Sequence, residues 1–148
     1  MTPKQKHVLS LIDNLNYVEF HHWFKNFEVM AFVQIESSFH DHAVRHEPSG
    51  VTSYGLMQVL DSSAKDRGLA GDPAQMFDPH IGLRYGMLQL RWEWDFLTHR
   101  MGGSGPSKDQ WVAGYNEGVG NVLKGRADHA YVRLWQHAAA YWQGVIVE

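Results

Sequence analysis

Residues 20–39 read FHHWFKNFEVMAFVQIESSF. Within this stretch Trp23, Phe24, Phe27, Met30, Ala31 and Ile35 recur at helical spacing, and Val29, Phe32 and Val33 fill a second face. A helix that is apolar on more than one side is buried inside its domain rather than laid on the surface. The pattern therefore predicts a buried helix from about Phe20 to Phe39. It ends where His40 to Gly50 turns polar around Pro48 and Gly50, a stretch read as a loop.

Working outward, helices dominate. Val8, Leu9, Leu11, Ile12 and Leu15 form a helical stripe after Thr2-Pro3, a cap followed by a first-turn proline. Residues 51–60, VTSYGLMQVL, mix β-branched and aromatic residues around a glycine and predict a short strand or hairpin. Ser62 or Ser63 is expected to cap a short helix ending at Gly68, and Asp78-Pro79 opens a helix to about Thr98. Ser107 with Gln110 forms a capping box after the glycine-rich loop 102–106. A last helix is expected over about Asp128–Trp142, with Tyr131, Leu134, Trp135 and Ala138 on one face. The fold class is mainly α, an α+β arrangement with a small β-hairpin element, in a single domain over residues 1–148.

The composition narrows the functional classes. A chain of 148 residues, 44% hydrophobic and 20% charged, can bury one self-sufficient core. It contains no cysteine, which excludes disulfide frameworks, thiol catalysis and Cys-based metal sites. The formal charge of −3 gives no polycationic field for a nucleic-acid partner, although the ten histidines would make the chain cationic on acidification. No apolar run is long enough for membrane insertion. His40, His42 and His46 could be drawn as a metal site, but a loop without thiolate or supporting residues argues against one, so no metal and no cofactor is expected. Of the six tryptophans most are expected in the core, with Trp92 or Trp94 as candidates to line a saccharide groove.

Three short motifs carry chemistry. Glu36 stands in the last turn of the buried helix, where the helix dipole and desolvation by apolar neighbours both favour its protonated form, as a general acid requires. Ser53-Tyr54-Gly55-Leu56-Met57-Gln58 follows, with Gln58 22 positions after Glu36. Gly55 would allow close approach of a ligand to backbone, and the Gln58 amide both donates and accepts, which suits a sugar hydroxyl or acetamido group. Tyr115-Asn116-Glu117-Gly118 offers a hydroxyl for a carboxyl group and a glycine for a tight turn. Each motif alone also has an ordinary structural account: a solvated helix end, a packed hairpin, a helix cap.

In this order the three resemble the goose-type lysozyme and soluble lytic transglycosylase family, in which a glutamate followed by serine, then Gly-Leu-Met-Gln, then Tyr-Asn-Ala-Gly mark the active site. The resemblance extends through Phe77-Asp78-Pro79, Ile81-Gly82, Gly86-Met87-Leu88 and Tyr131-Val132, covering about residues 25–142. It implies a lysozyme-like fold with its β element beside an active-site cleft, Glu36 as the catalytic acid, Ser37 as its structural neighbour, and Tyr115 as the group that touches and orients the Glu36 carboxyl. Ser53, Tyr54, Gly55, Met57, Gln58 and Asn116 would contact the glycan. The implied substrate is peptidoglycan, cut at the β-1,4 bond from N-acetylmuramic acid to N-acetylglucosamine, with chitooligosaccharides as further ligands and a monomer as the acting species. The sequence departs from the family at Glu117, where alanine is usual and where a solvated surface carboxylate is expected, and at Leu60, where goose-type lysozymes carry an aspartate. Glu47 and Asp61 are then the candidates for a second carboxylate. Without one in the expected place the resemblance favours a lytic transglycosylase giving 1,6-anhydro-muramic products over an inverting hydrolase, and the intact Glu36 beside a tyrosine argues against a glycan-binding module without catalysis. The site of action is the bacterial cell wall, in the periplasm or outside the cell. With no leader in the chain, a phage endolysin or virion enzyme, or a domain of a larger protein, is expected.

Overall fold

The computed structural model describes residues 1–146. Helix α1 (Pro3–Val18) carries the expected Thr2 cap as a full capping box with Gln5. Helix α2 (Asn26–Ser37) is the interior element: Val29, Met30, Ala31, Phe32 and Val33 are all fully buried. It starts six residues later than the apolar pattern predicts. The Asn16 side chain accepts from the Phe24 amide and donates to the Phe24 carbonyl, satisfying that backbone outside any helix. His21 and His22 both take left-handed φ angles, so residues 20–25 form a turn that feeds aromatic rings into the core.

Three strands follow: β1 (Val44–His46), β2 (Thr52–Tyr54) and β3 (Val59–Leu60), antiparallel in the order β1-β2-β3. Strand β1 lies in the stretch read as a loop. Its three residues are all exposed, so no apolar alternation marks it, and pairing with β2 specifies it. Helix α3 (Asp61–Asp66) begins directly after Leu60 with no side-chain cap, so Ser62 and Ser63 lie inside its first turn instead of capping it. A 3₁₀ turn (Pro73–Phe77) leads into α4 (Pro79–Met101), capped by Asp78 as predicted. Helix α5 (Lys108–Glu117) has the Ser107–Gln110 capping box, a short α6 (Val119–Leu123) follows, and α7 (His129–Val145) is capped by Asp128. The buried stripe of α7 is Val132, Trp135, Ala138, Ala139 and Trp142, and Leu134, expected among them, is 60% exposed.

The helices fix the Gly55-Leu56-Met57-Gln58 segment from behind. At Gly86 of α4 a Cβ would stand 2.3 Å from the Met57 Sδ, so the missing side chain is what admits the methionine. Gly55, at φ +79, backs onto the Met76 carbonyl oxygen, 2.4 Å from where its own Cβ would be. Among the described residues no helix is long and apolar enough to cross a membrane.

Candidate active site

A cleft of about 660 Å³ runs between the sheet on one side and α3, α4 and the α5–α6 junction on the other. The register of the sheet determines what faces it. Arg45 pairs with Ser53, and Ser53 with Leu60, so these three share one face and line the cleft, joined by Glu47 and Val51 at the same parity. The intervening residues face away. Tyr54 points from the opposite face onto Phe77, with ring centroids 5.8 Å apart.

Glu36 lines the cleft from the last turn of α2. The chain leaves this helix through Ser38 and Phe39, both with left-handed φ, which costs backbone strain beside the site. Ser37 Oγ donates to the Leu56 carbonyl at 2.7 Å, tying the helix end to the second motif, in keeping with a structural neighbour. Burial pushes the Glu36 carboxyl up to about 7, against the opposing effects of a hydroxyl donor and the Arg45 charge. A group poised there is protonated for roughly half its time near neutrality, as general acid–base work requires.

The hydroxyl that reaches Glu36 belongs to Tyr131, which donates to Oε2. Tyr115, expected in that role, instead donates to the Met57 carbonyl at 2.6 Å and holds the second motif against α5. Both phenols are raised well above their ordinary range by burial first and by the Glu36 charge next, so both remain donors at any working pH. Tyr131 is 95 positions from Glu36, and only the packing of α7 on α2 brings them together. Tyr131-Val132 belongs to the family resemblance, but nothing local in the sequence assigns the tyrosine to Glu36. With Glu36 as proton donor, Tyr131→Phe is expected to slow turnover on the order of tenfold, because the carboxylate left after donation would lose a charge-assisted hydrogen bond. That bond lowers the Glu36 pKa, so its loss should also move the alkaline limb of the pH–rate profile upward. A limb that stays in place, or moves down, would contradict the contact.

The other expected glycan contacts divide. Ser53, Gln58 and Asn116 line the cleft. Gln58, at φ +49, donates its amide to the Ala43 and Gly55 carbonyls, so that donor serves the loop and not a ligand. Asn116 Nδ2 donates to Asp128 Oδ2 at 3.1 Å and Glu117 Oε1 accepts from the Asp128 amide at 2.8 Å. Glu117 is thus a cleft-lining cap, not a solvated surface carboxylate, and both residues anchor the start of α7, where Tyr131 stands. Tyr54, Gly55 and Met57 do not line the cleft: Met57 is fully buried under Gly86, and Gly55 meets the Met76 carbonyl and not a ligand. Of the second carboxylates, Glu47 lines the cleft with Arg45 3.8 Å away, whereas Asp61 opens α3 outside it and accepts from the Ser62 amide.

Two cleft groups were not expected from the sequence. Glu93 of α4 is 2% exposed; its Oε1 accepts from Gln89 at 3.4 Å and its Oε2 has no partner among the described residues. Burial pushes it up to about 8. Its signal is helical: Gly86, Leu90, Glu93 and Leu97 form one buried stripe of α4, and a carboxyl in such a stripe stands out. Arg67 lies 4.3 Å over the ring of Trp92, which is half-exposed on the same wall. Trp94 packs with Trp23 and Trp111 in the interior instead.

Among the described residues no three metal-binding side chains converge; His42 hydrogen-bonds Asp41 at 2.9 Å and stacks on Phe77.

Comparison with known proteins places this geometry. No curated protein sequence matches the chain. The crystal structure of the 70 kDa soluble lytic transglycosylase SLT70 from Escherichia coli is similar in fold, with a TM-score of 0.56 at 20% identity over 90% of this chain. The chain spans 22% of the length of that enzyme. The family model described as Transglycosylase SLT domain matches residues 22–138, which include the whole of the cleft, and the chain belongs to that family.

Proposed function

We infer that the protein is a peptidoglycan lytic transglycosylase that uses Glu36 as its one acid and base. The observation that carries this reading is the Glu36 carboxyl in the cleft, raised to about 7 and met by the Tyr131 hydroxyl, set among residues of a Transglycosylase SLT domain. Protonated Glu36 gives its proton to the glycosidic oxygen between N-acetylmuramic acid and N-acetylglucosamine as that bond breaks. The substrate acetamido oxygen shields the developing positive charge at C1. The Glu36 carboxylate, held by Tyr131, then takes the proton of the C6 hydroxyl while that oxygen closes on C1, giving a 1,6-anhydro ring and restoring the acid. The balance needs no water and no second carboxylate.

A second reading rests on Glu47. An inverting hydrolase places a base across the sugar from the acid, about 6.5 to 9.5 Å away, and Glu47 is a carboxylate on the sheet side of the cleft. Mass spectrometry of peptidoglycan digests separates the two. Anhydro-muramic ends are expected, reducing ends would establish hydrolysis, and binding of wall glycan or chitooligosaccharide without any product would identify a non-catalytic module.

A further inference from the structure

We propose that Arg67, whose guanidinium lies over the ring of Trp92 at the α3–α4 wall of the cleft, is a subsite for a substrate carboxylate. The proposal deepens the transglycosylase reading and rests on it for the nature of the polymer.

Carboxyl groups of Glu36, Glu47, Asp66, Glu93 and Glu117 line the cleft, against two arginines. Arg45 has Glu47 beside it. Arg67 forms no ion pair among the described residues, although Asp66 is its neighbour in sequence and Glu93 shares its wall. Glu93 does not neutralise it, because burial keeps that carboxyl largely protonated at neutral pH. The guanidinium nevertheless has an aromatic partner: its centre sits 4.3 Å from the centroid of Trp92, which in turn stacks on Phe96 at 5.0 Å. A half-exposed cation that sits over an aromatic ring and has no ion-pair partner is well placed for an anion, since a guanidinium already packed on a ring has less side-chain freedom to lose on binding.

The repeating sugars of peptidoglycan are uncharged at their rings and acetamido groups. The anions of the polymer are carboxylates attached through the lactyl arm of muramic acid: those of the stem peptide, or the bare lactyl carboxylate where the stem has been removed. A planar guanidinium binds a carboxylate through two parallel N–H donors. Arg67 would then distinguish wall polymer from a neutral β-1,4 glycan of the same length.

The test is equilibrium binding in a Glu36→Gln background, which needs no turnover, so the subsite is judged even if the transglycosylase reading fails in the digest experiment. Three soluble tetrasaccharides serve as probes: a wall fragment bearing its peptide stems, the same fragment after an amidase has left bare lactyl carboxylates, and chitotetraose. Arg67→Gln is expected to weaken binding of the peptide-bearing fragment about tenfold relative to chitotetraose. Arg67→Lys, which keeps the charge but not the planar guanidinium, should fall between. A loss confined to the peptide-bearing probe assigns the stem carboxylate, and a loss shared with the stripped probe assigns the lactyl carboxylate. Equal losses on all three probes, or none on any, overturn the proposal.

Discussion

Glu36→Gln is expected to abolish turnover of peptidoglycan, by about a thousandfold or more in kcat/KM, with the fold intact. The size follows from the double use of one group. General acid catalysis alone contributes about 10² to 10⁴, and in the proposed reaction the same carboxyl also serves as the base that closes the ring. Glutamine keeps the shape of the protonated acid and can still accept from Tyr131, so the variant should unfold at the wild-type temperature or slightly above. The wild type supplies the companion measurement. The acid is the active form of the free enzyme, and its pKa is raised to about 7, so kcat/KM should fall as pH rises through about 7. An unperturbed glutamate would instead lose its proton near 4.5 and leave almost no acid at neutral pH. Wild-type rates in Glu36→Gln, or a profile flat from pH 5 to 9, would remove Glu36 from the mechanism.

What the sequence revealed and what it hid separate by distance along the chain. Capping chemistry is local, so Thr2, Asp78 and Ser107 announced their helices, and a doubly apolar run announced the interior helix α2. The start of α2 was missed because a side chain from the preceding helix, Asn16, decides it. In the cleft, Glu36 was legible through its place at the end of a buried helix, and Ser53, Gln58 and Asn116 through their motifs. The phenol that meets Glu36 was not, because that contact depends on how α7 packs on α2. Tyr115 was misassigned for a related reason: its hydroxyl is within reach of the second motif, and the Met57 carbonyl takes it. The residues between the cleft contacts show the limit of motif reading. Gly55 and Met57 belong to the same short run as Ser53 and Gln58, yet they serve the core, because the fold needs a glycine against Met76 and a methionine under Gly86.

Glu93 gives the second large effect, and it concerns stability. The fully buried carboxyl has one oxygen without a partner, and its pKa is raised from the ordinary 4.5 to about 8. Desolvation is the leading cause, outweighing the Gln89 hydrogen bond and the Arg67 charge. Between those two values the folded protein keeps a proton that the unfolded chain has released, so the folded state binds more protons and stability falls as pH rises. The contribution is fully present below 4.5 and is lost as pH rises through about 8. Glu36 acts in the same sense up to about 7. Glu93→Gln removes the ionisation while keeping the side-chain shape, so it should change little at pH 5 and stabilise the protein at pH 9, by on the order of 3 to 5 kcal/mol if the site stays closed around the charge. Urea unfolding of the two proteins at pH 5, 7 and 9 measures this directly. Curves that separate steadily with pH place a proton on Glu93 in the working enzyme, which leaves Arg67 as an unneutralised cation on that wall. Curves that stay parallel would mean that Glu93 is ionised in the folded state and that its free oxygen has found a partner.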